Sequence, residues 1–246
     1  MTDDSEVYAI QAAVLDAALA HVPFDGWSEA VLRTALADSG VEPALGPALF
    51  PRGALDLALA FHRRGDALMA ERLAVMVPAA RFRNRVTAAV MARLEVVEDK
   101  ELVRRGAAFF ALPQNMTEGA QALWETADAV LRALGDGSRD INWYSKRATI
   151  AAVYSATLLY WLGDQSGAHQ ATRDFLDRRI TEVMGFEKLK ASVRANPLGR
   201  ALSGLLGGIR APRVPCDLPG SLRTTETPGV FQATETNDSE MLKDRV

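Results

Sequence analysis

Apolar residues recur at three- and four-residue spacing throughout this chain, and no stretch alternates apolar with polar residues as a half-buried strand does. That pattern admits an all-α fold and little else. Glycine and proline divide it into segments. Val7, Ile10, Val14, Leu15, Ala18 and Leu19 form one helical face, which Pro23 and Gly26 interrupt. Ser28 is placed to cap a helix running through Asp38, and Gly40 ends it. A short helix fits between Glu42 and Phe50. Ala54–Arg64 reads as a helix ended by Gly65, with Asp66 capping a second over Ala67–Val77 that Pro78 stops. Phe82, Val86, Val90, Leu94 and Val97 make a further stripe, and Leu102–Leu112 ends at Pro113. Asn115 or Thr117 opens a helix closed by Gly135, Asp140 caps a long helix to Leu162, and a last helix covers about 169–190. Beyond Asn196-Pro197 the chain turns rich in Gly, Pro, Ser and Thr, and 194–246 reads as a mostly disordered tail.

Composition narrows the function classes. The chain has 246 residues and a formal net charge of −3, which argues against a general nucleic-acid binder. The single cysteine, Cys216, excludes a disulfide framework or a Cys-based zinc site, and three separated histidines (His21, His62, His169) give no metal cluster. The longest uncharged apolar run, Ala148–Leu162, is 15 residues, short of the roughly 18–20 that span a bilayer. The acidic start, Met1 to Glu6, is unlike a secretory signal or an Arg-rich transit peptide. The expectation is a cytoplasmic protein.

Three short helices before a long helical body resemble the TetR-type regulators, with residues 1–53 as the helix-turn-helix-like unit and 54–193 as the ligand-binding and dimerisation body. A recognition helix needs side chains for base edges and cations for phosphates. Residues 40–50 hold no Lys, Arg, Asn, Gln, Ser, Thr or Tyr, their only charge is Glu42, and Ser28–Gly53 nets −1. A scaffold that has lost its DNA chemistry is expected; a TetR-type regulator with an apolar effector is the alternative.

The Asp140–Leu162 helix is apolar all round. Tyr144, Ala148, Ala151, Ala152, Ser155, Leu158, Leu159 and Leu162 share a mostly small face, and Trp143, Ile150, Val153, Tyr154 and Trp161 a large one. One side meets the chain's own core; the other needs a second subunit, a ligand, or burial within the same subunit. Trp143, with its neighbouring cations, is either a protein-docking hot spot or ordinary core. In the last helix Phe175, Leu176, Ile180, Val183, Met184, Phe186 and Leu189 span a broad arc interrupted by Arg179, and Arg173–Lys190 nets +1. That helix either docks on the body or lies on a membrane.

These segments together resemble the coenzyme Q (ubiquinone) biosynthesis Coq-nine family in its alphaproteobacterial form. The resemblance rests on Pro23-Phe24-Asp25-Gly26-Trp27, Phe50-Pro51-Arg52-Gly53, Leu112-Pro113-Gln114-Asn115, Asp140 to Arg147, Phe175 to Ile180 and Phe186 to Lys190. It implies a TetR-like homodimer that binds isoprenoid quinone intermediates or phospholipid and delivers them to a di-iron quinone hydroxylase. It also implies a membrane-binding last helix, and so a protein peripheral at the inner face of the cytoplasmic membrane. By correspondence, Asp140, Trp143, Tyr144, Lys146 and Arg147 dock the hydroxylase, and Phe175, Leu176, Arg179, Ile180, Val183, Met184 and Phe186 meet the membrane. The lipid pocket is assigned to Leu123, Trp124, Tyr154 and Trp161. No catalytic residue, metal or cofactor is expected beyond the bound lipid, since there is no Gly-rich phosphate loop and no G-x-S-x-G elbow. His62 reads as structural. A catalyst on this scaffold, the third option, would need a convergent polar pocket.

Overall fold

Helices α1 (Thr2–Leu19), α2 (Val22–Asp25) and α3 (Glu29–Asp38) open a computed structural model that describes residues 2–76, 81–137 and 141–195. All regular structure among these residues is helical. The expected punctuation explains the front end. Gly26 turns the chain at φ 66°. Ser28, in extended backbone, then accepts the Val31 N–H at 3.3 Å to start α3. Gly40, at φ 69°, ends that helix in the left-handed conformation glycine tolerates. The stretch after it is a 3-10 turn, Pro43–Leu45, running into α4 (Gly46–Leu49). The Phe50-Pro51-Arg52-Gly53 motif is a junction: Glu29 of α3 accepts the Ala54 N–H at 2.7 Å, and Asp56 takes the Arg52 backbone N–H at 2.7 Å and its Nε at 2.9 Å.

The next helix differs from expectation. α5 (Ala54–Val75) is continuous through Gly65 and Asp66. Asp66 caps nothing; its carboxylate accepts from Arg93 Nε at 2.6 Å and from Thr126 Oγ1 at 2.9 Å. Gly65 serves that pair, because a Cβ there would stand 2.5 Å from the Arg93 guanidinium carbon. Glycine costs a helix about 1 kcal/mol relative to alanine, and here it is the residue that leaves room for the ion pair.

α6 (Phe82–Glu95), α7 (Lys100–Phe110), α8 (Met116–Ala133), α9 (Ile141–Gly163) and α10 (Gln170–Ala195) complete the described chain. Among the described residues there are two buried clusters. Val14, Trp27, Val31, Leu36 and Phe50 form the first, closed by Leu57 and Ala58 of α5 and Leu102 of α7. The second joins Val90 and Leu94 of α6, Val130 and Leu131 of α8, Val153 and Trp161 of α9, and Leu176 and Ile180 of α10. In α9 the large residues Ile150, Val153, Tyr154 and Trp161 turn inward, while Ala148, Ala152 and Leu159 are exposed.

The turn from α9 into α10 holds Ala168 and His169 at φ 51° and 55°, which L-residues seldom adopt. Asp164 braces it, accepting from the Ser166 N–H at 2.8 Å, the Thr172 N–H at 2.9 Å and the Thr172 hydroxyl at 2.5 Å. Lys100 Nζ donates to the carbonyls of Trp161 and Asp164 at 2.8 and 2.7 Å. Thus α10 leaves α9 in a fixed direction and docks. Leu176 and Ile180 are 0% and 5% exposed, Val183 packs against the same core, and Arg173 pairs with Glu95 of α6. The membrane assignment of Leu176, Ile180 and Val183 is therefore corrected: these side chains complete the bundle core. Met184 and Phe186 lie outside the described side chains, as Asp140 and the segment 196–246 lie outside the described residues.

Candidate functional site

α5, α7, α8 and α9 enclose a cavity of about 360 Å3, within the range of small-molecule sites. Its walls are apolar: Phe61, Val103, Phe110, Leu123 and Leu158. Small residues make the room, among them Gly106, Ala107, Gly119 and Ala120. A Cβ on Gly119 would meet Phe110 Cβ at 2.8 Å, so α7 and α8 close against each other there. Met116 and Leu159, also lining residues, are 57% and 64% exposed and mark the side open to solvent.

Four polar residues interrupt the apolar lining: His62, Arg93, Tyr154 and Ser155, whose hydroxyl donates to the Ala151 carbonyl at 2.7 Å. Arg93 donates to Asp66 and, through NH2, to the His62 carbonyl at 3.0 Å; its guanidinium lies 5.8 Å from the Tyr154 ring centroid. His62 Nε2 lies 2.7 Å from Thr126 Oγ1 and 3.2 Å from the Ala122 carbonyl. Burial, then the Arg93 charge, pulls the His62 pKa down to about 4, so the ring is neutral at neutral pH. Burial raises the Tyr154 hydroxyl above its ordinary value. The group is a satisfied ion pair carrying a neutral imidazole to the cavity wall.

Of the four expected pocket residues, Leu123 and Tyr154 line this cavity. Trp161 is 2% exposed in the second core, in a T-shaped contact with His169 at 5.9 Å between centroids. Trp124 turns away to a second feature. Trp124, Trp143 and Tyr144 form an aromatic cluster with centroid separations of 5.9, 6.4 and 4.8 Å. Arg147 lies over Trp143 at 3.9 Å and donates to Asp128 at 2.6 Å; at 2% exposure it braces the cluster from below and offers no surface to a partner. Lys146 is exposed and pairs with Asp136 at 2.5 Å. Trp143 and Tyr144 are half-buried.

Sequence reasoning missed Arg93, Asp66 and Thr126, and set His62 aside. A signal existed: Arg93 stands within the otherwise apolar run Ala88–Leu94, and an arginine there needs a buried acid. Among the described residues no group of three or more His, Cys, Asp or Glu side chains is placed to hold a metal ion.

A helix-turn-helix-like front end on a helical body with an internal cavity defines the TetR fold class. The crystal structure of a TetR transcriptional regulator from Nitrosomonas europaea matches at TM-score 0.54, over 71% of this chain and 97% of its own, with 18% identity. That likeness is one of fold. Sequence narrows it further. The COQ9 family model matches residues 116–187, which take in α8, α9 and much of α10. The mitochondrial ubiquinone biosynthesis protein COQ9 of Drosophila melanogaster is 30% identical over 191 residues, 75% of this chain and 58% of the fly protein. Its Rattus norvegicus counterpart is 30% identical over 208 residues, 80% of this chain and 66% of the rat protein. That of Schizosaccharomyces pombe is 28% identical over 194 residues, 78% and 76% of the two chains. The match thus spans from under three fifths to about three quarters of these relatives. The chain belongs to the COQ9 family.

Proposed function

We propose that this chain is a lipid-binding accessory protein of ubiquinone biosynthesis, not an enzyme. On this reading it takes one end of an isoprenoid quinone intermediate, or a phospholipid acyl chain, into the α5–α7–α8–α9 cavity. It then presents the molecule to a di-iron quinone hydroxylase. The observation that carries the reading is an apolar cavity of about 360 Å3, open past Met116 and Leu159, in a chain of this family. Moving apolar surface out of water is favourable by about 25 cal/mol per Å2, so such a cavity lowers the cost of drawing a long-chain lipid from a bilayer without any chemical step.

The remaining surfaces suit the same role. The exposed Ala148, Ala152 and Leu159 of α9 offer a flat strip to a second copy, giving a homodimer. Trp143 and Tyr144, with Lys146 beside them, present aromatic and cationic groups of the kind found at docking sites. Among the described residues no single helix is long and apolar enough to cross a membrane. Peripheral membrane contact is assigned to α10 beyond its core contact, from Met184 onward, where Phe186, Lys188, Leu189 and Lys190 follow.

Protein purified without harsh detergent is expected to release an isoprenoid or a phospholipid into organic solvent, detected by mass spectrometry. Lipid-free protein that also takes up none from vesicles would overturn the reading, and specific operator binding at physiological salt would replace it with a regulator.

A further inference from the structure

His62 has hydrogen-bond partners on only one side of its ring. The polarity of its surroundings is fixed by the ion pair behind it. Asp66 is acceptor-only, so the Thr126 hydroxyl donates its proton to Asp66, at 2.9 and 3.1 Å to the two carboxylate oxygens. Thr126 Oγ1 is then an acceptor toward His62, and the Ala122 carbonyl accepts as well. Nε2 of His62 must carry the proton. The ring is neutral, so Nδ1 holds a lone pair. Nδ1 makes no hydrogen bond in the chain, and the side chain keeps 14% of its surface accessible on the cavity lining. It is not among the sealed polar atoms, in contrast to the Tyr154 hydroxyl, which is closed off without a partner.

We infer that His62 Nδ1 is the acceptor that reads a hydroxyl group on the molecule bound in the cavity. The pocket then prefers an apolar molecule with an O–H donor, a phenol or hydroquinone head, over the same skeleton without one. A quinone carbonyl would bring a second acceptor against the lone pair and gains nothing there. This rests on the lipid-binding reading and adds the head group and its orientation: the hydroxyl end enters the cavity and the remaining chain leaves past Met116 and Leu159. His62 is a specificity-determining residue here, with no bond made or broken.

Three probes of one skeleton test it: 2-geranylphenol, 2-geranylanisole and geranylbenzene, titrated into the full chain. The phenol is expected to bind about five- to tenfold more tightly than the other two, as one added hydrogen bond allows. His62→Phe keeps the affinity for geranylbenzene and loses the preference. In the wild-type chain the 15N resonance of His62 Nδ1 shifts with the phenol and stays put with the anisole, a readout that needs no variant. Equal affinities with an unmoved resonance, or a preference that survives in His62→Phe, would overturn the His62 assignment while leaving the apolar site standing. Failure of all three probes to bind would instead overturn the cavity reading itself.

Discussion

Arg93 is 4% exposed and meets Asp66 at 2.6 Å, with Thr126 and the His62 carbonyl taking up further hydrogen-bonding capacity. Two charges out of water stabilise a fold only while both remain and their hydrogen bonds are met. Arg93→Met strands the Asp66 carboxylate, and the expected loss is about 3–5 kcal/mol. Adding Asp66→Leu to it removes the stranded charge, and thermal melts should show the double variant recovering much of that loss. A double variant no more stable than the single one would show that the pair contributes more than its own neutralisation. His62 makes a second, pH-dependent prediction. Its folded pKa of about 4 lies below the ordinary 6.5, so between these values the unfolded chain binds a proton that the folded chain does not. Stability is therefore complete above about pH 6.5 and falls as pH drops toward 4, by about 3 kcal/mol in all. Denaturant melts of wild type against His62→Phe isolate it: the difference between them should shrink on acidification over that window and hold steady above it. None of this polar group was readable in the sequence as a unit. Asp66, Arg93 and Thr126 stand on three different helices, and only tertiary packing brings them together.

The helices themselves were far more readable, because local chemistry sets most of their ends. Ser28 caps α3, Gly26 and Gly40 supply left-handed turns, and Gly135 at φ 75° follows α8. Gly65 misled because a glycine reads as a stop, whereas here it clears space for a side chain from another helix. The last helix shows the same limit. Its apolar arc fits a bilayer as well as a bundle, and the choice is made by α6 and α9, which cover Leu176 and Ile180. Leu176→Ala should thus cost about 2–5 kcal/mol in a thermal or denaturant melt. Membrane binding by vesicle flotation should be unaffected wherever that variant stays folded. An unchanged melt combined with lost flotation would mean that α10 leaves the bundle and inserts that face. Asp164 carries a related load at the start of α10. Hydrogen bonds from Thr172 and Ser166 hold its carboxyl well below the usual range, so its brace is complete at neutral pH and weakens once pH falls below the ordinary carboxylate value near 4.

Across the folded chain, cavity mouth, aromatic cluster and outward face of α9 all draw on α8 and α9, so on the proposed function one pair of helices would serve ligand, partner and second copy. Trp143 and Tyr144 are half-buried and braced by Arg147, which separates two outcomes of substitution. If the proposed docking role holds, Trp143→Ala and Tyr144→Ala weaken binding to a di-iron quinone hydroxylase by roughly tenfold or more, since hot-spot aromatics commonly contribute 2 kcal/mol or above, while the melting temperature moves little. A collapse in stability would class the pair as core. The proposed dimer strip makes the sharpest demand. Ala148 and Ala152 are exposed and small, and Leu159, 64% exposed, stands at the cavity mouth as well. Alanine at these positions lets two helix backbones approach closely. A carboxylate there would be buried unpaired against its own symmetry mate, because a two-fold interface sets each surface residue against the same patch. Ala152→Glu is therefore expected to turn a dimer into a monomer in sedimentation velocity. The monomer's helical content and melting transition should be retained, since the side chain projects from an already exposed position. A wild-type chain that sediments as a monomer, or a variant that remains dimeric, would reject this face as the subunit contact and free it for the hydroxylase or the membrane.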